Sequence, residues 1–333
     1  MSHVRRLRHR IRVEDAVKKL LVAAIVFAAA GAAPAVAQQP LTIGTSLKGT
    51  LTFSIGTAVA KALQDAGGVA VEMRPQSGTG TLIPRINSGE VDIGFANTLE
   101  LYEAFHGVGG FDKRPNAQLR TVAVIFPIKV GLLVRNDSPI RSVQDLKGRT
   151  LAYGFASQET VRNNIDAMLA TGGLSAKDMQ TLQVPDLVVG IDALVAGKVD
   201  ATSFAIGSPK VAEADAAVGV RYLSLDNGPK ALVALKTQFL TAYTGQVAPA
   251  ANRPGVREPI STMFYDYTIF ANANVPASRI RAVVATVAQN RALLAQVLPQ
   301  FVDMDPGRLY SNIDVPFHPG AVAYFGERMG ALR

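Results

Sequence analysis

Three polar loops hold the residues best suited to chemistry. Residues 45–53 carry Ser46, Lys48 and Phe53, residues 77–81 carry Ser77, Gly78 and Thr79, and residues 155–160 carry Ser157, Gln158 and Thr160. Each loop stands between a short apolar run and a helical pattern. The start of a helix offers unpaired N–H groups and a partial positive charge, so such junctions suit an anion, a carboxylate above all. Alone, each reads as an ordinary N-cap, since Ser and Thr are the usual caps. Three in register read as a ligand site. Two further stretches follow strands in the same way: Asn97 with Thr98, and residues 202–209 with Ser203, Phe204 and Gly207. Lys48 is the charged candidate, because it lies inside the first loop. Arg74, Arg85, Lys129 and Arg162 read as solvated charges, and Phe53, Phe204 and Tyr267, taken singly, as packing residues.

Enzyme chemistry has little to work with. The chain has no cysteine, which removes thiol nucleophiles, thiolate metal sites and disulfides together. Beyond residue 37 the only histidines are His106 and His318, in no metal-ligand spacing. There is no G-x-S-x-G elbow and no phosphate-binding G-x-x-x-x-G-K-[ST] loop. Asp92 and Asp200 look alike in context, but each opens a strand and reads as a turn cap. No catalytic residue, cofactor or metal is expected, and the chain is read as a binding protein.

The elements that position these loops alternate between strand and helix. Residues 41–45, 69–73 and 91–95 read as strands, separated by helices from Thr52 and around Ile83. Pro84 is tolerable there if Thr81 caps the helix. The pattern restarts with strands at 121–125, 130–134 and 151–153 and a helix from Ser157. Such β-α-β alternation implies largely parallel sheets covered by helices. The run Gly89-Glu90-Val91-Asp92 is echoed by Gly197-Lys198-Val199-Asp200, which suggests two lobes of like design.

Charge is concentrated at one end. The net charge is +8 over 333 residues, but residues 1–37 hold seven basic and two acidic groups, leaving the rest at 27 against 24. A nucleic-acid-binding body would keep its basic excess in the folded part, so no nucleic acid partner is expected. The basic stretch, the apolar run 20–30 and Ala35-Val36-Ala37 have the order of a secretory signal cleaved after Ala37. The apolar run is short for a bilayer span of roughly 20 residues. A periplasmic location follows.

The punctuation Gly89–Asp92, Asp145-Leu146-Lys147-Gly148 and Gly197–Ala201 resembles that of type 2 periplasmic solute-binding proteins. The C-terminal run Val315-Pro316-Phe317-His318-Pro319-Gly320, continuing to Glu327, is similar to the ending of the TAXI family, the extracytoplasmic solute receptors associated with TRAP transporters. The resemblance runs from about Leu41 to the end. It implies an α/β clamshell of two lobes, each a mostly parallel sheet flanked by helices, joined by hinge strands. Lobe 1 is expected at 38–128 plus 240–333, lobe 2 at 135–230, and the hinges near 128–135 and 230–240. It also implies a receptor that captures a small anionic or carboxylate-bearing solute and delivers it to TRAP permease subunits. A receptor presenting its liganded form to a membrane sensor kinase would need the same clamshell. The first loop and Leu82 depart from the family pattern, so no ligand is carried over from other members.

Overall fold

The computed structural model describes residues 39–155 and 159–330. The segment read as an export signal, and Ser157 and Gln158, lie outside the described residues. Residues from Pro40 onward form one compact unit.

The first half opens with β1 (Leu41–Thr45), α1 (Leu51–Asp65), β2 (Val71–Pro75), α2 (Thr79–Asn87), β3 (Ile93–Asn97) and α3 (Thr98–His106). β1 pairs in parallel with both β2 and β3. β3 is buried at every position, as a strand covered on both faces must be, whereas the edge strand β2 has no buried residue. Gly56 of α1 permits close packing on β1: a Cβ there would lie 2.2 Å from Thr45 Cγ2.

The second half repeats the plan with β5 (Thr150–Tyr153), α4 (Glu159–Thr171), β6 (Gln180–Gln183), α5 (Leu187–Val195), β7 (Ala201–Ala205) and α6 (Pro209–Val218). β5 pairs in parallel with β6 and β7.

Two long strands join the halves. β4 (Leu119–Arg135) and β10 (Ile260–Asn272) lie antiparallel side by side, β10 also pairing with β3 and β4 with β7. The sheet order is therefore β2-β1-β3-β10-β4-β7-β5-β6. Short β8 (Val220–Tyr222) adds to β4 and β9 (Tyr243–Val247) to β10. The two separate strands expected at 121–125 and 130–134 are one continuous strand. Pro127 sits opposite Asp266, where the register of β10 slips, and such an irregularity accommodates a residue without an N–H.

Residues 230–240, expected as a hinge, are mostly helix α7 (Pro229–Gln238), which packs on α4. Helix α2 starts at Thr79 rather than at a Thr81 cap, so Pro84 is inside it; the helix continues far enough for the Pro84 carbonyl to accept from Ser88 N–H. The C-terminal helices α8 (Ala277–Gln289), α9 (Arg291–Val297) and α10 (Pro319–Gly330) return to the first half, α8 and α9 against α1 and α10 against α8. Before α10 the chain runs beside the start of β4, where Thr121 Oγ1 donates to the Val315 carbonyl and His318 N–H to the Thr121 carbonyl.

Candidate functional site

A cleft of about 660 Å³, its open mouth included, lies where the loops of both halves meet the paired strands β4 and β10. Its floor is Ile128 and Val130 of β4 with Tyr265 and Tyr267 of β10. The register explains this: Tyr265 stands opposite Ile128 on the neighbouring strand.

The first half builds its wall from three strand-to-helix junctions. Ser46 and Thr50 come from the loop before α1. Thr50 caps that helix by accepting from Phe53 N–H and donates its own hydroxyl to the Leu47 carbonyl. One residue into α1, the Thr52 hydroxyl is 2.9 Å from that of Tyr267 and ties wall to floor. Thr79 opens α2 behind Gly78, the N-cap, and Asn97 caps α3 by accepting from Glu100 N–H. Glu100 is only 3% exposed, yet the residue lines the cleft, and its carboxylate accepts from the Thr79 hydroxyl and from Asn97 Nδ2.

The second half contributes Ser203, Phe204 and Ala205 at the end of β7, Ser208 at the start of α6, Val161 and Asn164 of α4, and Leu187 of α5. Asn164 is 5% exposed, and its Oδ1 has no hydrogen-bond partner. The halves touch directly at one rim, where Lys210 N–H donates to the Gly49 carbonyl at 3.0 Å.

Burial pushes the Tyr265 and Tyr267 hydroxyls far up in pKa; the negative charge of Glu100 adds to both, while hydrogen bonds from Asn164 and Thr52 oppose it. Both phenols stay protonated and face the cleft as O–H groups.

Of the residues singled out in the sequence, Ser46, Thr79, Asn97, Ser203 and Phe204 meet in this cleft. Gly78 and Thr98 are buried beside it without lining it, and Ser77 is half-buried with its hydroxyl 3.4 Å from that of Thr81. Lys48 and Phe53 line a separate outer groove with Glu213. Gly207 lies beyond the lining, its carbonyl facing Gln300 Nε2 at 3.4 Å. Thr160 falls in α4, its side chain outside the described set, as are Ser157 and Gln158. Sequence reasoning missed Glu100, Asn164 and Tyr265. The spacing Asn97-x-x-Glu100 is visible as a helix-start signal, which points to a cap rather than to a cleft.

Residues 43–328 match the NMT1-like family. The chain belongs to that family. Its structure is similar to the binding-protein component of an ABC phosphonate transporter from Pseudomonas aeruginosa, at 14% identity over 80% of each chain with a TM-score of 0.51. It is also similar to PhnD1 from Prochlorococcus marinus in complex with methylphosphonate, at 12% identity over 87% of this chain and 98% of that one, TM-score 0.51. A further similarity is to the periplasmic aliphatic sulphonate binding protein SsuA of Escherichia coli, at 22% identity over 81% and 85%, TM-score 0.47. The fold of this NMT1-like protein is thus the two-lobe α/β architecture of type 2 solute-binding proteins. Among the described residues there is no group of three or more acidic or histidine side chains placed to hold a metal, and no helix is long and apolar enough to cross a membrane.

Proposed function

We propose that this NMT1-like protein is an extracytoplasmic solute receptor, a binding protein rather than an enzyme, which captures a small carboxylate-bearing solute between its lobes and hands it to a membrane permease. The observation that carries the reading is the cleft itself, lined from both halves of the sheet and floored by the two strands that join them. Interfaces of this kind are where small-molecule sites concentrate. A ligand that touches both lobes binds the closed arrangement better than the open one and shifts the hinge equilibrium by that difference. The phosphonate-transport neighbours support the receptor role, and the C-terminal likeness to TAXI receptors supports a TRAP-type permease as the partner.

In this reading lobe 1 comprises residues 38–128 and 240–333, lobe 2 residues 135–230, with β4 and β10 as the flexing strands. Ser46, Thr79, Asn97, Ser203 and Phe204 contact the solute, and the amides at the start of α1 and the hydroxyl of Ser203 receive its carboxylate. Ser157, Gln158 and Thr160 are assigned to the solute from the sequence alone. The protein works in the periplasm after cleavage behind Ala37.

The test is a thermal-shift screen of the exported protein against mono- and dicarboxylates, amino acids, sulfonates and phosphonates, followed by small-angle scattering with the compounds that bind. A stabilising compound that also reduces the radius of gyration is the expected result. Binding without compaction would remove the clamshell mechanism.

A further inference from the structure

The lining of the cleft does not look like that of a site for a bare anion. Among the described residues no lysine or arginine lines it, and its one carboxylate, Glu100, is buried. A carboxylate held away from water is costly unless donors surround it. The Thr79 hydroxyl and Asn97 Nδ2 already donate to Glu100, and its position in the first turn of α3 meets that helix's positive end. Thr79 is also the first residue of α2. The place where an anionic ligand would approach the starts of α2 and α3 is therefore filled by the protein's own charge.

The opposite wall adds a second acceptor. Asn164 lines the cleft, and its Oδ1 is buried and has no partner. Glu100 comes from the first half and Asn164 from the second, and both line the same cleft as Tyr265. Three aromatic residues, Tyr265, Tyr267 and Phe204, line the same cleft. A carboxylate, an unused amide oxygen and aromatic rings together make the chemistry that receives a positively charged nitrogen: charge-assisted hydrogen bonds to the acceptors and attraction to the ring faces.

We propose that the Glu100–Asn164 part of the cleft seats a cationic nitrogen of the carboxylate-bearing solute, so that the ligand is a zwitterion rather than a simple anion. This rests on the cleft being the ligand site. With its carboxylate towards the start of α1 and its nitrogen between Glu100 and Asn164, a zwitterion would bridge the two lobes, and the same contacts would discriminate against amine-free acids.

The experiment compares matched probes on the exported protein by thermal shift and calorimetry. The pairs are L-alanine with propionate, L-phenylalanine with 3-phenylpropionate, L-glutamate with glutarate and 4-aminobutyrate with butyrate, with choline and putrescine as cations lacking a carboxylate. The expected result is binding of at least one nitrogen-bearing probe, with the amine-free partner at least tenfold weaker. Glu100→Gln should lower affinity for that probe at least tenfold and shrink the preference. Because Glu100 also anchors Thr79, Asn164→Ala serves as a second variant, expected to weaken the nitrogen-bearing probe more than its amine-free partner. An amine-free acid that binds as tightly as its amino counterpart, or a sulfonate or phosphonate that binds while no cationic probe does, would overturn the inference and leave the receptor reading standing. No binding by any probe or anion would overturn both.

Discussion

The two halves of the sheet share a brace and differ in their walls. In the first, Asp92 at the entry to β3 accepts from Thr42 N–H and Oγ1–H of β1, and Thr42 Oγ1 accepts in return from Asp92 N–H. In the second, Asp200 before β7 accepts from Thr150 N–H of β5. Both pairs are fifty residues apart and both clamp the crossover between parallel strands. The walls above are unlike. The first carries a buried carboxylate, the second hydroxyls and an unused amide oxygen. Repetition thus preserves what holds a β-α-β unit together, and divergence falls on what lines the cleft.

The clasps differ as well. The first half is strapped by the C-terminal segment lying along β4. The second is held by Arg221, only 8% exposed, which donates to the carbonyls of Arg135, Asn136, Ser138 and Ile140 at the turn leaving β4. Burial lowers its pKa, which tells of the desolvation those carbonyls must offset. Arg221→Met should produce the largest loss, about 3 kcal/mol or more in urea unfolding, because several carbonyls lose a charged donor at once. A loss below 1 kcal/mol would mean that water replaces the guanidinium and that the second half needs no clasp.

The two braces predict an asymmetry next. Asp92→Ala removes the two hydrogen bonds its carboxylate accepts and should cost about 2 kcal/mol, whereas Asp200→Ala removes one and should cost about 1 kcal/mol. Equal costs in the same urea titration would show the braces to be energetically equivalent despite the extra threonine hydroxyl.

The rim contact between the halves comes third. Gly49 has φ +93°, which disfavours any residue with a Cβ, and an added Cβ would come within 3.4 Å of Lys210. Gly49→Ala should therefore disfavour the Gly49–Lys210 contact by about 1 kcal/mol and weaken a solute from the screen about fivefold. Affinity unchanged in calorimetry would show that this contact plays no part in closure.

The braces and the strand-helix alternation are legible in the sequence because they rest on local spacing: a glycine stop, a valine and an aspartate recur wherever a helix turns into a buried strand. The loops are legible for the same reason, and they lead to Ser46, Thr79, Asn97, Ser203 and Phe204. What depends on distant pairing is not. The strands at 121–125 and 130–134 look separate until Pro127 is seen opposite the register slip at Asp266. Glu100 looks like a helix-start acid until α2 is placed beside it, and Asn164 looks like one more polar residue of an amphipathic helix. Lys48 sits in the right loop, but the loop turns it outward.

The smallest predicted effect tests the strap of the first half by pH. His318 is buried, its Nδ1 accepting from Gly320 N–H, and burial lowers its pKa from the usual 6.5, with Arg120 adding to the shift and nearby backbone carbonyls at Val275 and Ala273 opposing it. A histidine with a depressed folded pKa gives stability that is complete above its unfolded value and is lost as pH falls towards the folded one, because the unfolded chain takes up the proton first. The window thus opens just below pH 6.5. With that unfolded value, one such group removes no more than about 0.7 kcal/mol between pH 7 and pH 6. Every other ionisable group is common to the protein and to a His318→Gln variant, so their contribution is removed by subtracting one profile from the other. Urea midpoints of the protein and of His318→Gln at pH 7.5, 7.0, 6.5 and 6.0 make that subtraction. The difference between the two proteins should shift against the wild type as the medium is acidified. Parallel profiles would mean that His318 meets water or a donor in both states, and that the strap is held by the Thr121 contacts alone.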